Sequence, residues 1–174
     1  MADHLFHEFF AALMYDEEED YDHAIQELTE HLATNPANAA AYNNRGVAYS
    51  EIGQPERALA DFAEAARLAP SDAMPAKNRG MLLHALGDLP AALAALDVAV
   101  RVAPNDPYLR RTRAHARAAA GELAGAAEDY SRAIAVQPEF PEQYLARAWV
   151  YDRLGQPSLA EQDRAAASRL KSPG

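Results

Sequence analysis

The sequence predicts an all-α solenoid of five helix pairs, and three observations carry that prediction. Pro36, Pro70, Pro104 and Pro138 recur at intervals of 34 residues. Gly53, Gly87, Gly121 and Gly155 keep the same interval, as do Ala24, Ala58, Ala92, Ala126 and Ala160. The composition is helical, with 41 alanines in 174 residues and few of the β-branched residues that strands prefer. A fixed period of this length is the mark of stacked supersecondary units. The register 5–38, 39–72, 73–106, 107–140 and 141–174 uses the chain as a single domain spanning 1–174, without room for a second. Positions within a unit are called slots below, counted from 1 to 34.

Each unit reads as two helices. In the second unit, an apolar-periodic stretch from Ala40 to Ile52 stops at Gly53, which suits a left-handed C-terminal cap. Pro55 then opens a second helix in its first turn, where the missing N–H costs nothing. That helix presents Ala58, Leu59, Phe62, Ala65 and Ala66 at helical spacing, and Pro70 prevents its continuation. Asn38, Asp72 and Asp106 stand in the capping slot of the helices that follow, and Pro107 and Pro141 open the first helices of the last two units. Small residues fill slot 8 (Ala12, Gly46, Gly80, Ala114, Ala148) and slot 20. Large ones fill slot 24, including Phe62, Leu96 and Tyr130. Small against large at a constant period is what close helix packing needs.

These residues resemble the tetratricopeptide repeat: small side chains at slots 8, 20 and 27, aromatics at 4, 11 and 24, proline at 32. The unit from Ala39 to Asp72 matches best, through Tyr42, Gly46, Tyr49, Ala58, Phe62, Ala65 and Pro70. The resemblance implies a right-handed superhelix whose first helices line a concave groove, and a function as a protein-interaction scaffold. Departures are His31 and Glu19 in the first unit, Arg110, Arg113 and Arg117 at slots that usually hold large apolar residues, and Arg164 at slot 24 of the last unit.

The groove geometry implied by the family assigns particular side chains to the ligand face. They are Phe6, Phe9 and Leu13 in the first unit, Asn43 and Val47 in the second, and Lys77, Met81 and His84 in the third. Tyr108, Arg111 and His115 follow in the fourth, then Leu145, Trp149, Asp152 and Arg153 in the fifth. Such a surface mixes apolar anchors, amides and charges of both signs, the means of holding an extended peptide or a partner helix. The family's clamp for a C-terminal carboxylate is incomplete, because Met81, Thr112 and Ala146 stand where polar or basic residues belong.

Arginine recurs at slot 7 as Arg45, Arg79, Arg113 and Arg147, and aspartate at slot 23 as Asp61, Asp129 and Asp163. Cation and carboxylate on the two helices of a unit predict the bidentate pairs Arg45–Asp61, Arg113–Asp129 and Arg147–Asp163. Arg79 faces Ala95 and needs another acceptor, for which Asp97 is the candidate.

Other function classes find little support. The chain has no cysteine, no nucleophile–base–acid constellation and no Gly-rich phosphate loop, so no enzyme is expected. The six histidines lack ligand spacing, so no metal or other cofactor is expected. The net charge of −10 argues against nucleic acid, and the basic run from Arg110 to Arg117 has Glu122, Glu128 and Asp129 close by in sequence to neutralise it. No run approaches a membrane span, and the start Met1-Ala2-Asp3-His4 lacks a basic signal region, so a cytoplasmic protein is expected.

All the net charge falls in residues 1–38, which hold ten acidic residues and no Lys or Arg. Leu5, Phe6, Phe9, Phe10, Leu13 and Met14 form a wide apolar arc just before Asp16-Glu17-Glu18-Glu19-Asp20. The expected partner is a protein or peptide. The alternative is a self-assembling subunit, a homo-oligomer joined through this first helix or through an uncapped last repeat.

Overall fold

A computed structural model describes residues 19–171. Those residues form nine α-helices and no strand. The helices are α1 (Glu19–Thr34), α2 (Ala39–Glu51), α3 (Pro55–Leu68), α4 (Met74–Ala85) and α5 (Leu89–Val102), followed by α6 (Pro107–Ala119), α7 (Leu123–Val136), α8 (Pro141–Arg153) and α9 (Pro157–Lys171). The architecture is an all-α helical-repeat solenoid. Phe6, Phe9, Leu13 and most of the acidic run lie outside the described residues.

The helix boundaries have local causes. Asn38 accepts from the Ala41 amide at 3.0 Å and caps α2. Asp106 accepts from the amides of Tyr108 and Leu109 at 2.8 and 3.2 Å and caps α6. Asp72 accepts from the Met74 amide at 2.9 Å. Asp88 does the same work for α5 through Ala91, at 3.1 Å. Pro55, Pro107, Pro141 and Pro157 each occupy the first position of a helix. Between the two helices of a pair the chain turns at Gly53, Gly87, Gly121 and Gly155, whose φ values lie between 70° and 84°. That left-handed backbone is open to glycine at no steric cost.

Contacts group the chain into two compact units, one through Leu82 and one from Leu83. In the first, α2 packs on α1 and on α3. Ala58 and Ala65 are completely buried there, and Phe62 nearly so. In the second, each of α5 to α9 packs on its neighbour in sequence. Ala114, Ala126, Ala127, Tyr130 and Val150 form one core cluster shared by α6, α7 and α8. The slot-20 alanines Ala58, Ala92, Ala126 and Ala160 are all sealed from solvent. A methyl group is what the helix crossing accommodates there, and the large slot-24 residues Leu96 and Tyr130 fill the space beside it.

Candidate functional site

The slot-7 arginines form the polar frame that holds the first helices in place. Arg45 donates to Asp61 through Nε and Nη2, at 2.7 and 2.8 Å. Arg113 donates to Asp129 through the same two atoms, both at 2.7 Å. Arg147 donates to Asp163 at 2.8 and 2.6 Å. All three carboxylates are buried. Each side-chain hydrogen bond raises the arginine's pKa above its ordinary value, against the opposing effect of burial.

The third guanidinium nitrogen reaches the neighbouring repeat. Arg45 Nη1 donates to Thr29 at 3.1 Å, Arg113 Nη1 to Asp97 at 2.8 Å, and Arg147 Nη1 to Ser131 at 2.9 Å. Every one of these acceptors stands 16 residues before its arginine, as every carboxylate stands 16 after. The fork therefore ties three helices from two successive repeats. Arg79 has Ala63 and Ala95 at the two corresponding positions and is exposed. Asp97, the acceptor considered for it, is held instead by Arg113 and, at 3.7 Å, by Arg117.

The basic run on α6 belongs to the same frame. Arg110 donates to the Pro104 carbonyl at 2.8 Å and reaches Asp129 at 3.4 Å, while Arg117 reaches Asp129 at 2.7 Å and Glu122 at 3.7 Å. Asp129, with 1% of its surface exposed, thus collects three guanidinium groups. Glu128 takes no part and pairs with Arg132 instead. A Cβ on Gly125 would stand 3.2 Å from Arg117 Cδ, so the glycine leaves room for that side chain to lie inward. Sequence reasoning passed over Thr29, Ser131 and Gly125; the constant offset of 16 was the available signal for the first two.

With those arginines turned inward, a different set faces solvent. On α6, Tyr108 is 41% exposed, Arg111 is half-buried with its guanidinium 5.0 Å from the Tyr108 ring centre, and His115 is exposed. The His115 ring meets Tyr130 edge to face at 6.4 Å. On α8, Leu145 is 39% exposed and Trp149 48%, and the Arg153 guanidinium lies 5.0 Å from the Trp149 ring centre. Asp152 is engaged by Arg164 of α9. These residues occupy related slots of consecutive repeats within the second compact unit. The neighbouring Leu109, Ala114, Ala148 and Val150 are buried.

The remaining groove candidates are less open. Asn43 is half-buried and accepts from Asn78 Nδ2 at 2.9 Å, Val47 is half-buried, and Met81 is exposed. Lys77 departs from a solvent-facing role: it is 8% exposed. His84 is half-buried, and its Nε2 is enclosed without a hydrogen-bond partner among the described residues.

Among the described residues, no group of three or more His, Asp or Glu side chains is placed to hold a metal ion. No helix there is long and apolar enough to cross a membrane.

Family models described as tetratricopeptide repeat match residues 39–72 and 82–150. The chain belongs to the tetratricopeptide-repeat family. No curated protein sequence matches it. Among solved structures, this repeat chain is similar to a crystal structure of MamA, with a TM-score of 0.81 and 22% identity over 88% of this chain and 90% of that one. It is similar to MamA 41-end from Desulfovibrio magneticus RS-1, with a TM-score of 0.79 and 20% identity over 87% and 86%. It is also similar to YrrB, described as a TPR protein with an unusual peptide-binding site, with a TM-score of 0.74 and 20% identity over 87% and 78%. At these identities the likeness is one of fold. Tetratricopeptide repeats build protein-interaction scaffolds.

Proposed function

We propose that this protein is a protein-interaction scaffold that binds a peptide or protein partner along the exposed faces of its first helices, without chemistry of its own. One observation carries the reading: Tyr108 and Trp149, each with an arginine stacked on it, are exposed, as is Leu145, on helices held by buried ion pairs. Tyrosine, tryptophan and arginine concentrate binding energy at protein interfaces, because they bring large contact area at low entropic cost. The site on YrrB, a similar fold, supports a peptide as the ligand class.

A cytoplasmic location fits the reading. Self-assembly is the second reading, and the exposed face of α9 weighs on it. Slots 21, 24 and 28, which bury Ala127, Tyr130 and Ile134 in the fourth repeat, hold exposed Glu161, Arg164 and Ser168 in the fifth. A polar face of this kind disfavours stacking of another copy on the last repeat. Self-assembly therefore rests on the apolar residues Leu5 to Met14, which lie outside the described residues. Capture of partners by wild type and by Trp149→Ala separates the readings. Loss of a specific heterologous partner in the variant supports the scaffold. Recovery of the same partners in equal amounts refutes it.

A further inference from the structure

We propose that the face formed by α6 and α8 takes an acidic, extended peptide, two of whose carboxylates are held by Arg111 and Arg153. This deepens the reading above and rests on it. The argument begins with how this chain uses arginine. Eight arginines of the described residues, at positions 45, 67, 110, 113, 117, 132, 147 and 164, hold a carboxylate. Arg111 and Arg153 are not among them. Each instead lies over an exposed aromatic ring, at 5.0 Å, at slots that the family resemblance assigns to the ligand face. Stacking occupies the flat face of a guanidinium and leaves its in-plane N–H fork to meet a planar anion. It also restrains a flexible side chain before any ligand arrives, so less freedom is lost on binding.

Local charge agrees. Asp152 is already neutralised by Arg164, and among the α6 and α8 carboxylates only Glu142, in the first turn of α8, has no ion-pair partner. Two free cations against one free anion favour an acidic ligand. The exposed apolar residues on the same two helices, Tyr108, Leu145 and Trp149, favour one with hydrophobic side chains interspersed. The geometry also sets a spacing. Both helices pack on α7 through short turns, so they run in the same direction. Arg111 and Arg153 stand at slots 5 and 13, about 12 Å apart along the helix direction at the α-helical rise, and on different helices, whose sideways separation adds to that distance. An extended chain therefore needs at least about four residues to reach from one to the other.

The test uses the full chain and three capped, dye-labelled peptides about ten residues long. The first carries two glutamates four residues apart among leucine and tyrosine, the second has them adjacent, and the third replaces both with glutamine. Fluorescence anisotropy is the readout. The spaced diacid is expected to bind about tenfold more tightly than the glutamine peptide, in a salt-sensitive way. Arg111→Gln and Arg153→Gln should each remove most of that preference while leaving the circular dichroism spectrum unchanged. Equal binding of acidic and glutamine peptides overturns the proposal, as does a preference that survives both variants. Tighter binding of a short single-stranded oligonucleotide through the same two arginines also overturns it, in favour of a general polyanion surface. If all three peptides bind equally and Trp149→Ala abolishes them together, the acidic chemistry fails while the scaffold reading stands.

Discussion

Asp129→Ala offers the strictest examination of the polar frame. The carboxylate is 1% exposed and accepts from Arg113 twice and Arg117 once at 2.7 Å, with Arg110 at 3.4 Å. Removing one partner of a buried ionic group costs about 3–5 kcal/mol, mostly from stranding the opposite charge. Some of that charge keeps an acceptor: Arg113 retains Asp97, Arg110 retains the Pro104 carbonyl, and Arg117 retains Asp97 and Glu122 at 3.7 Å. Those remnants are partly exposed, so a loss of about 4 kcal/mol is expected, or a fall in Tm of about 10 °C for a chain of this size. Asp163→Ala strands only Arg147, which keeps Ser131, and should cost about 3 kcal/mol. Asp97→Ala removes a half-exposed partner and should cost at most about 1 kcal/mol. Urea unfolding followed by circular dichroism gives the three values, with the transition slope checked because repeat arrays can lose cooperativity. If Asp129→Ala costs no more than Asp97→Ala, the frame does not hold the second compact unit together as described.

Three further outcomes are expected. Gly46→Ala should destabilise by about 1–2 kcal/mol despite alanine's better helix propensity, because the new Cβ would lie 2.8 Å from Phe62 Cε1. Phe62→Leu in the same chain should recover part of the loss in thermal unfolding. Arg79→Ala should change stability by less than about 0.5 kcal/mol, whereas Arg147→Ala should cost several times more, as compared by urea midpoints. Burial pushes the Tyr130 phenol up to about 12 from its ordinary 10.0. The folded state therefore holds that proton more tightly, so its contribution is complete below about pH 10 and is lost as pH rises toward 12. Urea midpoints measured across that range should fall more steeply in wild type than in Tyr130→Phe.

The fold was legible because a repeat prints each structural requirement several times. One glycine at Gly53 is ambiguous, but four at a common interval mark a turn. The same redundancy exposed the slot-7 arginines and their slot-23 carboxylates. It was less help where a residue's role depends on which helix lies across from it. Arg110 and Arg117 read in sequence as parts of a basic run, and burial against Asp129 turns them into structural residues. Lys77 occupies a slot that faces ligand in the family, yet its surroundings enclose it. Thr29 and Ser131 were overlooked because a hydroxyl carries no charge to signal a partner. The binding face was legible only as a set of slots, since exposure and arginine stacking are properties of packing.

The central claim is that Tyr108, Arg111, Leu145, Trp149 and Arg153 form a partner-binding face. Trp149 is the only tryptophan in the chain, so its fluorescence reports on that face alone. Titration of the purified protein with a partner captured by wild type should shift or quench Trp149 emission saturably, at the same midpoint as binding measured independently. A partner that binds with full affinity while Trp149 emission stays constant would contradict the account.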